Sequence, residues 1–127
     1  GSENYRDGFW QGFEGEDMTV DIDLSSRSKL KQISINFLQN TGARIFLPSE
    51  IQISMSKNGR DLETIKVIKN DVSPKKNGGF IKEFLHNFSN ESFRYLRLYA
   101  KSIGVCPDWH PNAGEKGWIF ADEIILR

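Results

Sequence analysis

Residues 18–24 read MTVDIDL, an unbroken alternation of apolar and polar side chains. Met18, Val20, Ile22 and Leu24 face one way, and Thr19, Asp21 and Asp23 the other. That period of two fits a strand with one buried and one wet face, and it excludes a helix. The same period returns in residues 30–38 through Ile33, Ile35 and Phe37, and again at Ile51, Ile53 and Met55. Residues 80–88 form a further strand candidate. In residues 93–101, Leu96, Leu98 and Ala100 are expected inward, with Tyr95, Arg97 and Tyr99 outward. Residues 118–126 are an apolar run that reads as a closing core strand.

Between these runs lie breaks with identifiable chemistry. Pro48 ends or edges whatever strand contains residues 45–47. Asn58-Gly59 is a hairpin turn signal. The stretch holding Leu62, Ile65 and Val67 fits a strand or a short helix. Residues 25–28 are a polar turn, and residues 39–44 and 69–79 are polar loops. Residues 3–17 are glycine-punctuated, acidic and aperiodic, which predicts a structured loop. No segment carries an amphipathic helix of useful length. Strands separated by turns in this number predict an all-β, eight-stranded antiparallel jelly-roll β-sandwich. At 127 residues it reads as a single domain over 3–127, with Gly1-Ser2 as an expression scar.

Charge narrows the partners. Lys plus Arg number 17 and Asp plus Glu number 17, so there is no basic excess. That argues against nucleic acid held by phosphate neutralisation, and equally against an anionic membrane surface. No apolar run approaches the roughly 18 residues of a membrane-spanning helix. Cys106 is the one cysteine, so no internal disulfide forms.

Residues 104–124 concentrate the chemistry. Gly104, Pro107, Pro111, Gly114 and Gly117 prevent a helix or strand from running through the first half. Trp109 and Trp118 sit there beside Asp108, His110 and Asn112, which suggests a contact surface. Sugar C–H faces stack on aromatic rings, and sugar hydroxyls take polar partners. Trp109, His110, Asn112 and Asp108 are therefore carbohydrate-binding candidates. Arg44 joins them if its loop shares their end of the sandwich, whereas Trp118 heads a core strand. Catalysis finds little support: His86 and His110 are the only histidines, and no GxSxG or HExxH occurs. Cys106 and His110 have ligand spacing, but a structural zinc site wants four such ligands. Calcium wants oxygens from an irregular acidic segment. Asp7, Glu14, Glu16 and Asp17 offer them around three glycines, and Glu123 joins if the last strand lies alongside.

Several of these stretches together resemble a known family. Trp10-Gln-Gly-Phe-Glu-Gly15 with Asp17-Met18 and the strand ending Ile22-Asp-Leu24 is similar to the start of a coagulation-factor 5/8 type C domain. This is the discoidin-like module, also family 32 of the carbohydrate-binding modules. Ile45-Phe-Leu-Pro48, Ile53-Ser-Met-Ser56 and Asn58-Gly59 resemble its hairpin, and Arg94-Tyr-Leu-Arg97 one of its strands. Asp108-Trp-His110 with Trp118-Ile-Phe-Ala-Asp-Glu-Ile124 is most similar to modules appended to bacterial glycoside hydrolases, notably family 20 β-hexosaminidases.

The resemblance implies a galactose-binding-like jelly roll. It implies a structural calcium on Asp7 and Glu123, with Glu14 or Asp17 as further ligands. It also implies a shallow glycan site on end loops, with Trp109 as platform and His110, Arg44 and Asn112 as clamps. The expected function is a non-catalytic module of a larger secreted glycoside hydrolase, holding terminal galactose- or N-acetylhexosamine-type sugars. Its partners would be a glycan and the parent catalytic domain in cis, with no nucleic acid and no membrane insertion. It would be monomeric, and secreted, periplasmic or on the bacterial surface. The alternative is a structural or protein-interaction module that packs on its parent and binds no sugar.

Overall fold

A computed structural model describes residues 3–4, 11–24, 30–76, 78–89 and 93–127. The strands are β1 (Glu3–Asn4), β2 (Gln11–Glu14), β3 (Met18–Asp23), β4 (Gln32–Gln39), β5 (Glu50–Ser56), β6 (Glu63–Lys69), β7 (Phe80–Asn87), β8 (Tyr95–Lys101) and β9 (Trp118–Leu126). One sheet runs β1-β9-β4-β7, with β2 also on β9, and the other runs β3-β8-β5-β6. Every strand pair is antiparallel. β1 pairs with Ile125 and Leu126, and β2 with Trp118 to Ala121, so the two share one edge of β9. That leaves four strand positions in each sheet, the antiparallel β-sandwich that the alternation predicts.

The alternation works because one face of each sheet meets the other sheet. Ile33, Ile35, Phe37, Phe84, Ile119 and Ile124 come from one side, and Met18, Ile22, Ile51, Ile53, Leu96 and Leu98 from the other; all are buried. Phe37 and Phe84 meet edge to face at 5.6 Å. β9 breaks its own period once. Ile124 stands opposite Ile35 while Ala121 stands opposite Phe37, so Asp122 and Glu123 face Asn36 in a β-bulge. The Asp122 carboxylate accepts the Glu123 amide at 2.8 Å. The bulge turns both Ala121 and Ile124 into the core, a spacing no regular strand permits.

One expectation needs correction, and one stretch left open between strand and helix is decided. Residues 11–14 are a strand, not loop: Gly12 lies where the Phe120 and Trp118 rings lean across β2, and a Cβ there would meet Phe120 at 2.6 Å. Residues 63–69 are a strand rather than a helix, because β5 presents an unpaired edge that their backbone completes. The Asn58-Gly59 turn stands as read. The Asn58 side-chain oxygen accepts the amides of Arg60 and Asp61, and Gly59 has φ +82°.

Candidate functional site

β8 and β9 are joined by an arm, residues 102–117, that closes on itself. Gly117 donates to the Gly104 carbonyl at 3.0 Å, Cys106 to Glu115 at 2.7 Å, and Gly114 back to Cys106 at 3.1 Å. Gly104 and Gly114 have φ of +83° and +85°, the left-handed region that lets so short a neck turn. Beyond the neck the tip is a series of tight turns, with His110 bonding Pro107, Ala113 bonding His110 and Glu115 bonding Asn112. The prolines that exclude regular structure here also stiffen the tip.

The arm rests on residues 40–49. Trp118 donates to the Arg44 carbonyl at 2.7 Å, and Phe46 to the Trp118 carbonyl at 2.9 Å. Phe46 is buried, and Gly117 lies so close beneath it that a Cβ would sit 3.2 Å from its ring. His110 fills the remaining space at 4% exposure, with its ring 5.8 Å from Phe46 and 5.9 Å from Trp109. Its Nδ1 accepts the Asn112 amide at 2.9 Å, so Nε2 carries the proton and donates to the Thr41 carbonyl at 2.6 Å.

A third loop completes this end. The Thr41 hydroxyl donates to the Pro74 carbonyl at 2.7 Å, and the Gln39 amide to Ser73 at 3.1 Å. Lys75 then places its ammonium 5.4 Å over the Trp109 ring. Loops 40–49, 70–79 and 102–117 are thus joined through the Thr41 backbone and side chain.

On the surface, Trp109 is 41% exposed. Arg44 and Glu115 form an ion pair at 3.6 Å, and Glu115 accepts from the Asn112 side-chain Nδ2 at 2.6 Å. Arg44 has φ 63°, rare for a residue with a side chain, and strain of that kind clusters at functional positions. Asp108 is exposed at the same tip. The structure therefore brings Arg44, Asp108, Trp109, His110 and Asn112 to one end of the sandwich.

One role changes. His110 is not a clamp on the surface but an internal strut, because both ring nitrogens are occupied and the ring is buried. Sequence reasoning did not single out Thr41, Lys75 or Glu115. No local signal marks them, since their importance comes from loops distant in the chain. Burial of Cys106 raises its thiol pKa, which suits a packing residue rather than a nucleophile.

The calcium candidates separate. Glu14 is exposed on β2 opposite Trp118, whereas Glu123 lies five residues further along β9, about 16 Å away by strand rise. Asp17 accepts the Tyr99 hydroxyl at 2.5 Å and the Ser102 amide at 2.7 Å, one on each oxygen. It is a brace between the 15–17 turn and the root of the arm. Glu14 and Asp17 therefore do not fit a shared ion with Glu123, and Glu16 is exposed beside them. Asp7 lies outside the described residues. Among the described residues no three His, Cys, Asp or Glu side chains converge. Glu123 lies on the length of the β9 edge, 122–124, between the partners of β1 and β2.

No protein-family model matches the chain. No curated protein matches it either. Solved structures do. The K2 cleaved adhesin domain of Lys-gingipain superposes with a TM-score of 0.55 at 10% identity, covering 91% of this chain and 69% of that one. The module CpGH89CBM32-5 from Clostridium perfringens, in complex with GalNAc-β-1,3-galactose, superposes with a TM-score of 0.54 at 15% identity, covering 96% and 77%. At these identities the likeness is one of fold.

Proposed function

We propose that this chain is a non-catalytic carbohydrate-binding module of the discoidin-like, family 32 type, carried by a larger secreted bacterial glycoside hydrolase. Trp109 carries the reading. The residue is 41% exposed, yet the backbone beneath it is held by a buried His110. An indole on rigid ground stacks on a sugar ring with little ordering cost. Arg44, Asn112 and Asp108 supply polar groups at the same end. The GalNAc-β-1,3-galactose bound by the Clostridium module supports terminal galactose- or N-acetylhexosamine-type sugars as the ligand class. A shallow site gives weak affinity, and its use is to raise the parent enzyme's local concentration at glycans.

Titration with galactose, N-acetylgalactosamine and N-acetylglucosamine tests the reading. Binding to at least one is expected, and Trp109→Ala and Arg44→Ala each abolish it. Unchanged binding in both variants rejects this site. Calcium belongs to the same proposal, with Glu123 and Asp7 as ligands. A melting temperature higher in calcium than in chelator, with the difference lost in Glu123→Ala, is its signature.

A second reading, a module that packs on its parent's catalytic domain, is favoured by one surface. Phe120, Leu38 and Ile81 stand side by side across β9, β4 and β7 on the outer face of their sheet, and Ile81 is 57% exposed. That reading predicts that Ile81→Asp loosens the module from its parent, seen as faster limited proteolysis between the two, while sugar binding stays intact.

A further inference from the structure

The other end of the sandwich holds a groove that the loop site does not use. It has a volume of about 460 Å³ and lies between the Asn58–Leu62 turn and the outer face of β3 and β8. That size falls within the range of small-molecule sites, roughly 300–1,000 Å³. The arm carrying Trp109 follows the far end of β8, so the seven residues of that strand, about 20 Å, separate the two places.

Its lining has a specific chemistry. Arg97 forks onto Asp21 at 2.6 and 3.0 Å. Asp23, also in the lining, takes Arg94 from outside it in the same way at 3.2 and 3.4 Å, with that guanidinium 5.1 Å over the Tyr95 ring. Gly59 also lies against that ring, where a Cβ would sit 3.2 Å away, so Tyr95 is held in place. Leu62, at 40% exposure, adds an apolar wall. The turn itself is rigid, since Asn58 bonds Asp61 and the amides of Arg60 and Asp61.

Paired charges select the ligand. Each bidentate pair is neutral as a unit, yet it leaves further N–H donors on the arginine and further lone pairs on the aspartate. An anion would compete with Asp21 or Asp23 for its arginine, and a cation with the arginine for its aspartate. A hydroxyl is donor and acceptor at once, so it satisfies both members of a pair without separating them. A ligand with neighbouring hydroxyls on one edge and a C–H face for Leu62 and Tyr95 matches the groove. We propose that this groove is a second binding site, for an uncharged pyranose ring, distinct from the loop site around Trp109. Two sites on opposite ends would let one module bridge two glycan chains and gain avidity from weak single contacts.

Amide NMR separates the two sites within one experiment. The probes are galactose, N-acetylgalactosamine and N-acetylglucosamine, with inorganic sulfate as the charged control. At least one sugar is expected to shift the amides of Gly59, Leu62 and Arg97, while sulfate does not. Arg97→Gln is expected to weaken those shifts about tenfold in affinity, as for loss of a hydrogen bond to a charged group. Leu62→Ala, at an exposed position, weakens them with the fold intact. Neither variant alters shifts around Trp109. Sugar shifts confined to the Trp109 arm overturn the second site and leave the loop reading standing, and shifts confined to the groove do the reverse. Absence of shifts at 58–62 and 95–97 with all three sugars, or retention of them in both variants, overturns the proposal.

Discussion

His110 donates from Nε2 to the carbonyl of Thr41 across 2.6 Å, joining two loops that lie 69 residues apart in the chain. The bond is buried, and its donor is fixed because the other ring nitrogen accepts the Asn112 amide. Trp109 therefore stands next to a position of the arm that is held from beneath.

His110→Ala is expected to destabilise the fold by about 2–4 kcal/mol. It leaves the Asn112 backbone amide without its partner, leaves the Thr41 carbonyl with the Arg44 amide alone, and opens space beside Phe46. Urea denaturation measures this as a lower midpoint at unchanged slope. Sugar binding should weaken at the same time, although His110 touches no ligand.

Arg44 separates strain from binding. Its φ of 63° suits glycine, and its ion pair with Glu115 is exposed and worth little. Arg44→Gly is expected to raise stability by about 0.5–1 kcal/mol. It should weaken sugar binding all the same, since the guanidinium is gone. Denaturation and titration of one variant read the two effects independently.

Gly12→Ala is expected to cost about 1–3 kcal/mol through overpacking. The new methyl would meet Phe120 at 2.6 Å and Trp118 at 3.0 Å. In a Phe120→Ala background the same substitution should cost far less. A double-mutant cycle on denaturation free energies gives that coupling.

Alkaline pH tests the Asp17 brace. The Tyr99 hydroxyl donates to the Asp17 carboxylate, which raises its pKa from 10.0 to about 12. A group raised in the folded state contributes stability that is complete below pH 10 and lost as pH climbs through 12. Thermal melts should therefore fall across that window, and Tyr99→Phe should flatten the fall. At the acid end the sign reverses. The hydrogen bond from Arg97 lowers the Asp21 pKa below 3.8, so that contribution is complete above 3.8 and disappears as pH drops further. Because this pair is exposed, the acid effect should be small.

Much of the fold is legible as alternation. β3, β4 and β8 place Ile22, Ile35 and Leu98 in the core as period two requires. It fails where pairing outweighs pattern. Residues 11–14 carry no alternation, yet they become a strand because the free edge of β9 takes their backbone. Residues 63–69 are mostly exposed and are fixed by β5 in the same way. The site was half legible. Prolines and glycines located the arm, and residue type picked out Trp109, Arg44 and Asn112. Nothing local distinguished Trp109, which stays exposed, from its neighbour His110, which is buried.

Sequence alone determined the class of fold, the two-faced strands and the end loop richest in binding chemistry. These depend on side-chain period and backbone stiffness, properties each segment carries with it. Only the tertiary structure decided which loops meet, that Asp17 braces Tyr99 and stands apart from Glu123, and that Asp21 and Arg97 line a groove. Those outcomes depend on strand order and register, which bring together residues whose separation along the chain carries no signal of contact.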